Sequence, residues 1–503
     1  MARQKKLPRA YFDLKELSKE IATYNAISNV LYWDRETYMP HGGSESRSEQ
    51  IALLSAHVHN LKTSKRFKQL LKRIPSETIP RPEKINVEEW EDLLERSGKL
   101  PVEFVKKFSQ LTSEASQIWN VAKQSDNFDL FAPFLKRIVE MSREKAAILG
   151  FEDHPYDALL EHYEPCMTTK KISKIFENLR KELVSLLEKI RSAPQPENDF
   201  LKGPFDKQKQ RELANALLAS LPIDPRYSRL DLSAHPFSIA MHPHDSRITT
   251  RILNDGFLSN LFSVLHEAGH SMYEMGLPIE HWGTALAESV SLSIHESQSR
   301  WWETRIGYSL PFWRSFYPKV QQTFESQLGG ISLEQFYRGA HRVEPSLIRV
   351  EADEVTYCLH IILRFELELA LISGKLEVTD LPQAWREKMK ELLGIEPKTD
   401  REGCLQDIHW SLGDFGYFPT YALGNLFASQ FFATFSKEHR DWEERVQTGD
   451  FAFVREWLRT NIHCHGKLYD AEELAKKVTG DSFSEEAYCR YLKKKYSEIY
   501  QLS

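Results

Sequence analysis

The run His266-Glu267-Ala268-Gly269-His270 constrains this chain more than any other five residues in it. Two histidines four residues apart lie on one face of a helix, where both imidazoles can hold a single divalent metal. The glutamate between them points about a quarter-turn away, where it can accept a proton from water at the metal. From Leu261 to Met272 the only certainly charged residue is Glu267, set among Phe262, Val264, Leu265 and Met272. A carboxylate and two imidazoles are costly to bury in an apolar helix unless something ligates them. The motif therefore predicts a buried helix, a metal site and a metallohydrolase, whose usual target is a peptide bond.

A catalytic zinc needs a third protein ligand and an open position for water. The extended motif with a third histidine six residues on is absent, because position 276 is Gly. A downstream carboxylate on another helix is then required. The spacing predicts a helix over Ala285–Arg305 that offers Glu288 and Glu296. They are eight residues apart and share a face, so helical geometry does not choose between them. Glu274 can face the same way as His270, but it sits a turn further along, too far from the same ion.

Most of the remaining chain reads as α-helix. Apolar residues recur at three- and four-residue steps in Leu14, Leu17, Ile21, Tyr24, Ile27 and Leu31, and again over Ile172–Ile190, Val355–Ile372 and Ala471–Val478. Pro75–Pro82, Ser192–Asp199 and Leu201–Pro204 read as surface connections, and none is long enough for a flexible interdomain linker. Tyr227–Leu253 differs. Pro236, Pro243 and the run from Arg247 to Leu253 predict a short hairpin or small sheet just before the HExxH helix, a candidate element for aligning an extended peptide.

Of 503 residues, 41% are hydrophobic and 27% charged, which are globular values. The net charge of -6 carries no nucleic-acid footprint. No apolar run follows the basic start, Met1 to Arg9, and none is long enough for a membrane span, so neither a secretory leader nor a membrane association is predicted. Cys166, Cys358, Cys404, Cys464 and Cys489 are odd in number and scattered, which reads as reduced thiols in a cytoplasmic protein.

Further segments bear a family likeness. His295-Glu296-Ser297-Gln298, Ile348-Arg349-Val350-Glu351-Ala352-Asp353 and Gly403-Cys404-Leu405-Gln406-Asp407-Ile408-His409-Trp410 follow the HExxH helix in order. His235-Pro236-Phe237 and Asp245-Ser246-Arg247-Ile248-Thr249 precede it, and Trp33-Asp34 with Thr37-Tyr38-Met39-Pro40 lies near the start. Together these resemble the M32 family of metallocarboxypeptidases over nearly the whole chain.

The resemblance implies a mainly α, two-lobed fold with a deep central groove and one catalytic unit over 1–503, helical over 1–200 and carrying the site over 201–503. It implies His266, His270 and Glu296 as ligands of one zinc or cobalt ion, and commonly a homodimer. It implies release of single residues from peptide C-termini with broad preference, Glu267 acting as general base. By the same similarity, Tyr421 and His409 are the candidate donors to the oxyanion. A free carboxylate is best gripped by a planar guanidinium, for which Arg349 is the first choice and Arg247 the second. Gln406 and His409 are expected to line the groove. Taken alone, Arg349 reads as a structural partner of Glu351 or Asp353.

Rival readings are an endopeptidase, a dipeptidyl carboxypeptidase, and an inactive metal-containing peptide-binding protein, against which Glu267 argues. His463-Cys464-His465 and His242-Pro243-His244 are expected to be structural. Trp301-Trp302 is expected on a buried face, and Lys493-Lys494-Lys495 on a solvated one.

Overall fold

The structure, a computed structural model, describes residues 7–75 and 79–502, apart from the side chain of Ser97. The basic start over 1–6 and positions 76–78 of the predicted connection lie outside the described residues. The periodic segments are helices close to the predicted bounds: Arg9–Thr37, Thr169–Ser192, Tyr357–Ser373 and Ala471–Thr479.

Two apolar cores organise these helices. Tyr11, Leu14, Leu17, Phe67, Val87 and Trp90 form the smaller, where buried Asn86 donates to the Tyr11 hydroxyl at 2.7 Å. The larger runs from Leu111 to Tyr500 and includes the 111–190 region together with the site-bearing part. Trp301 and Trp302 are fully buried in it, as their apolar bulk predicts.

The predicted sheet is three-stranded: β1 (Ser228–Leu232), β2 (Ser238–His242) and β3 (Asp245–Thr250), in the order β1-β3-β2. β2 and β3 form the hairpin, Ile239 opposite Arg247, while β1 joins β3 in parallel. The sheet packs on the HExxH helix, Phe257–Gly276, where the Ser271 hydroxyl donates to that of Ser246 at 2.7 Å.

The predicted helix over Ala285–Arg305 is corrected. Ala285–Ala287 form a 3₁₀ turn, Glu288 is extended, and the helix starts only at Leu292, capped by the Ser291 side chain. It runs to Arg300 and widens into a π-helical stretch, Trp301–Gly307. The HExxH helix approaches this helix so closely that a Cβ on Gly269 would stand 2.6 Å from the Ser299 Cα. Behind it lies the helix Pro419–Glu438, where a Cβ on Gly424 would meet the Glu296 Cγ at 2.4 Å. Two glycines therefore set the spacing of the three helices that build the site.

Candidate metal centre

The HExxH helix buries Leu261, Val264, Leu265, Ala268 and Met272 and turns His266 and His270 toward a cavity of about 690 Å³. Glu296 comes from the next helix, and its Oε2 lies 3.5 Å from His266 Nε2 and 3.4 Å from His270 Nε2. The three residues each present one ligand atom within 4.8 Å of the others. Two imidazole nitrogens and one carboxylate oxygen are a donor set that suits zinc and its neighbours. The residues fit a divalent cation.

Surrounding groups orient these side chains. Glu303 accepts from His266 Nδ1 at 2.8 Å, and Arg300 holds Glu303 at 3.0 Å. Ser299 and Arg300 donate to Glu296 at 3.0 and 3.2 Å. His270 Nδ1 meets His295 Nδ1 at 2.6 Å, and His295 Nε2 meets Glu274 at 2.8 Å.

Burial dominates the electrostatics. It pushes the Glu267 carboxyl up to about 7, with Glu296 and Glu303 reinforcing it while His266 and a hydrogen bond from Ser238 oppose it. Burial also lowers His270 to about 3. His266 resists burial because Glu296 and Glu303 face it, and it rises to about 9. Glu296, opposite both histidines and Arg300, is held well below the usual carboxylate range despite its burial.

The cavity wall carries Glu267, Arg349, Tyr357, Tyr417 and Tyr421. The Arg349 guanidinium stacks 4.9 Å from the Tyr421 ring centroid. Its ion-pair partner is Asp407, in place of the Glu351 or Asp353 that sequence proximity suggests.

Three expectations change, those for Gln406, His409 and Arg247. Gln406 is absent from the lining. Its carbonyl accepts from the Arg349 and Arg364 groups, and its amide donates to the Leu347 and Glu402 carbonyls. It is a brace for the Arg349 backbone. His409 stands behind Tyr421, with its Nε2 at 3.3 Å from the hydroxyl, and is likewise not in the wall. Arg247 pairs with Asp245 and stacks on Trp33 at 4.3 Å, also away from the lining. Glu288 is exposed and pairs with Lys467 at 3.1 Å.

Glu303, Arg300 and Tyr357 are missed by the sequence reading, and His295 enters it only as part of a motif. Glu303 lies seven residues past Glu296, a two-turn spacing on one helix face that could have flagged it.

Two histidines and a glutamate facing one point, with a buried carboxylate beside them on a cavity wall, define the class of HExxH metallopeptidases with a glutamate third position. A family model described as "Carboxypeptidase Taq (M32) metallopeptidase" matches residues 13–496. Thermostable carboxypeptidase 1 of Thermus thermophilus is 42% identical, over 98% of this chain and 99% of that protein. Carboxypeptidase 1 of Bacillus subtilis is 37% identical, over 98% and 99%. The solved M32 carboxypeptidase from Deinococcus radiodurans R1 superposes with a TM-score of 0.95 at 34% identity, over 98% of this chain and all of that one. The chain belongs to the M32 metallocarboxypeptidase family and is a peptide hydrolase.

Proposed function

We propose that this enzyme removes single residues from peptide C-termini with broad preference, using one zinc or cobalt ion held by His266, His270 and Glu296. The observation that carries the reading is the meeting of these three side chains beside Glu267 on a cavity whose wall also holds Arg349. When bound, the cation supplies Lewis acidity that activates water and polarises the scissile carbonyl. Glu267 takes the proton from the attacking water and delivers it to the leaving amine. Burial raises this carboxyl and so favours its uptake of the proton. The Tyr421 hydroxyl, on the cavity wall, is the candidate donor to the developing oxyanion. Arg349 binds the free terminal carboxylate of the substrate.

A homodimeric, cytosolic enzyme belongs to the same proposal, carried by the family resemblance and by five cysteines held as thiols.

The test is mass spectrometry of an N-acetylated peptide of about ten residues, incubated with the protein and zinc or cobalt. The expected result is a ladder losing one C-terminal residue at a time. Loss in steps of two, internal cuts, or no cleavage with either metal would overturn the reading.

A further inference from the structure

Glu274 lies one helical turn past His270, outside the group formed by His266, His270 and Glu296, yet it is joined to that group through one side chain. His295 stands between them, its Nε2 2.8 Å from the Glu274 Oε1 and its Nδ1 2.6 Å from the His270 Nδ1. The two imidazoles lie with centroids 4.6 Å apart, and the Tyr273 ring packs edge-on to His295 at 5.2 Å.

The order of donors along this chain follows from valence. A carboxylate oxygen only accepts, so the proton of the first bond resides on His295 Nε2. A neutral imidazole carries one proton, so His295 Nδ1 is a lone pair and accepts. The proton of the second bond therefore sits on His270 Nδ1. That leaves His270 Nε2 as a lone pair, and this nitrogen faces Glu296 at 3.4 Å. On His266 the contact is direct: Glu303 accepts from Nδ1, so the proton that this ring gives up to bind a cation is the one on Nε2. One ligand histidine is thus set by a carboxylate and the other by a carboxylate acting through a second histidine.

We propose that Glu274 is a positioning residue that, through His295, fixes His270 as its Nδ1–H tautomer and so sets the affinity for the divalent cation. The inference rests on the ligand set proposed above and not on peptide cleavage. Without an acceptor at Glu274, the His295 proton is free to move to Nδ1. It then donates to His270, whose own proton is displaced onto the nitrogen that must bind the metal. Outer partners of ligand histidines are worth about 10–100-fold in metal affinity.

Glu274 is partly exposed, so replacements there leave the core intact. Glu274→Gln keeps an acceptor oxygen and Glu274→Ala removes it. Zinc affinity is read by competition with a chromophoric chelator, and ring tautomers by ¹⁵N shifts of the histidine-labelled apoprotein, with His270 assigned by its own replacement. The expected result is a loss of about 10–100-fold for Glu274→Ala with His270 appearing as Nε2–H, and affinity and tautomer close to wild type for Glu274→Gln. Wild-type affinity or an unchanged tautomer in Glu274→Ala would overturn the proposal. So would equal losses in both variants. A protein that holds zinc in this way and cleaves no peptide would instead overturn the function proposed above and leave this inference standing.

Discussion

Arg349 gives two hydrogen bonds to a single oxygen of Asp407, from Nε at 3.0 Å and from Nη2 at 2.8 Å. The other oxygen is taken by Arg364, whose side chain is fully buried. Two guanidinium cations against one carboxylate leave one positive charge, and Arg349 presents it on the cavity wall. Among the described residues its Nη1 reaches only the Tyr357 hydroxyl, at 3.4 Å. Lysine cannot both hold Asp407 in this two-point grip and reach a substrate. Arg349→Lys is expected to raise KM for free-acid peptides by about 10- to 100-fold, the worth of one charged hydrogen bond. The same variant should handle a C-terminally amidated peptide as the parent does. Steady-state kinetics on the acid–amide pair checks this, and an unchanged KM for the acid would remove Arg349 from recognition.

Glu267 is buried, faces the cavity and has a carboxyl raised to about 7. Glu267→Gln keeps its shape and removes its basicity. The expected outcome is a fall in kcat of about 10²–10⁴-fold, with metal content by elemental analysis unchanged. A normal kcat would refute the mechanism.

Glu296 and Glu288 differ in placement although they share a spacing. Glu296 is 5% exposed and faces both histidines, whereas the Glu288 side chain is 57% exposed and pairs with Lys467. Glu296→Ala is expected to lose its metal on dialysis and Glu288→Ala to keep it. The reverse contents would overturn the ligand set.

These two glutamates also mark where the sequence stops being informative. The HExxH helix was legible because its cues are local: apolar period, two histidines and a lone acid. The start of the Glu296 helix was not, because its local Ser291 cap is one serine among several nearby and the rest of its N-terminus is held from far away. Glu164 accepts from the Ser293 backbone at 2.7 Å and from its hydroxyl at 2.5 Å, across 129 positions. Gln406 and His409 misled for the same reason, since a motif names residues without saying which are walls and which are braces.

The lysine run near the C-terminus divides in a way no local pattern announces. Lys493 pairs with half-exposed Glu182. Lys495 is buried and donates to buried Glu354 at 2.7 Å, opposite Arg305, correcting the expectation of a solvated face. Removing one member of a buried ion cluster costs about 3–5 kcal/mol, whereas an exposed pair is worth about 0–1 kcal/mol. Urea unfolding should therefore show Lys495→Met strongly destabilised and Lys493→Ala close to the parent. Equal effects would contradict the placement of Lys495.

Glu368 is a fully buried carboxyl whose hydrogen-bond partners are Tyr156 Oη at 2.6 Å, Trp410 Nε1 at 2.8 Å and the Gly416 N–H at 3.2 Å. Burial raises it from 4.5 to about 7, against these three hydrogen bonds. The folded protein then holds this proton more tightly than the unfolded chain does. Its contribution to stability is complete below about pH 4.5 and is lost as pH rises to about 7. A shift of this size corresponds to at most about 3 kcal/mol. Glu368→Gln does not titrate, and its misplaced amide adds a penalty that is independent of pH. The difference in unfolding free energy, parent minus variant, is therefore expected to fall between pH 4.5 and 7 and to stay level above. Urea unfolding of both proteins across that range measures it. A flat difference would mean that Glu368 ionises as readily inside the fold as outside, with its three donors balancing burial.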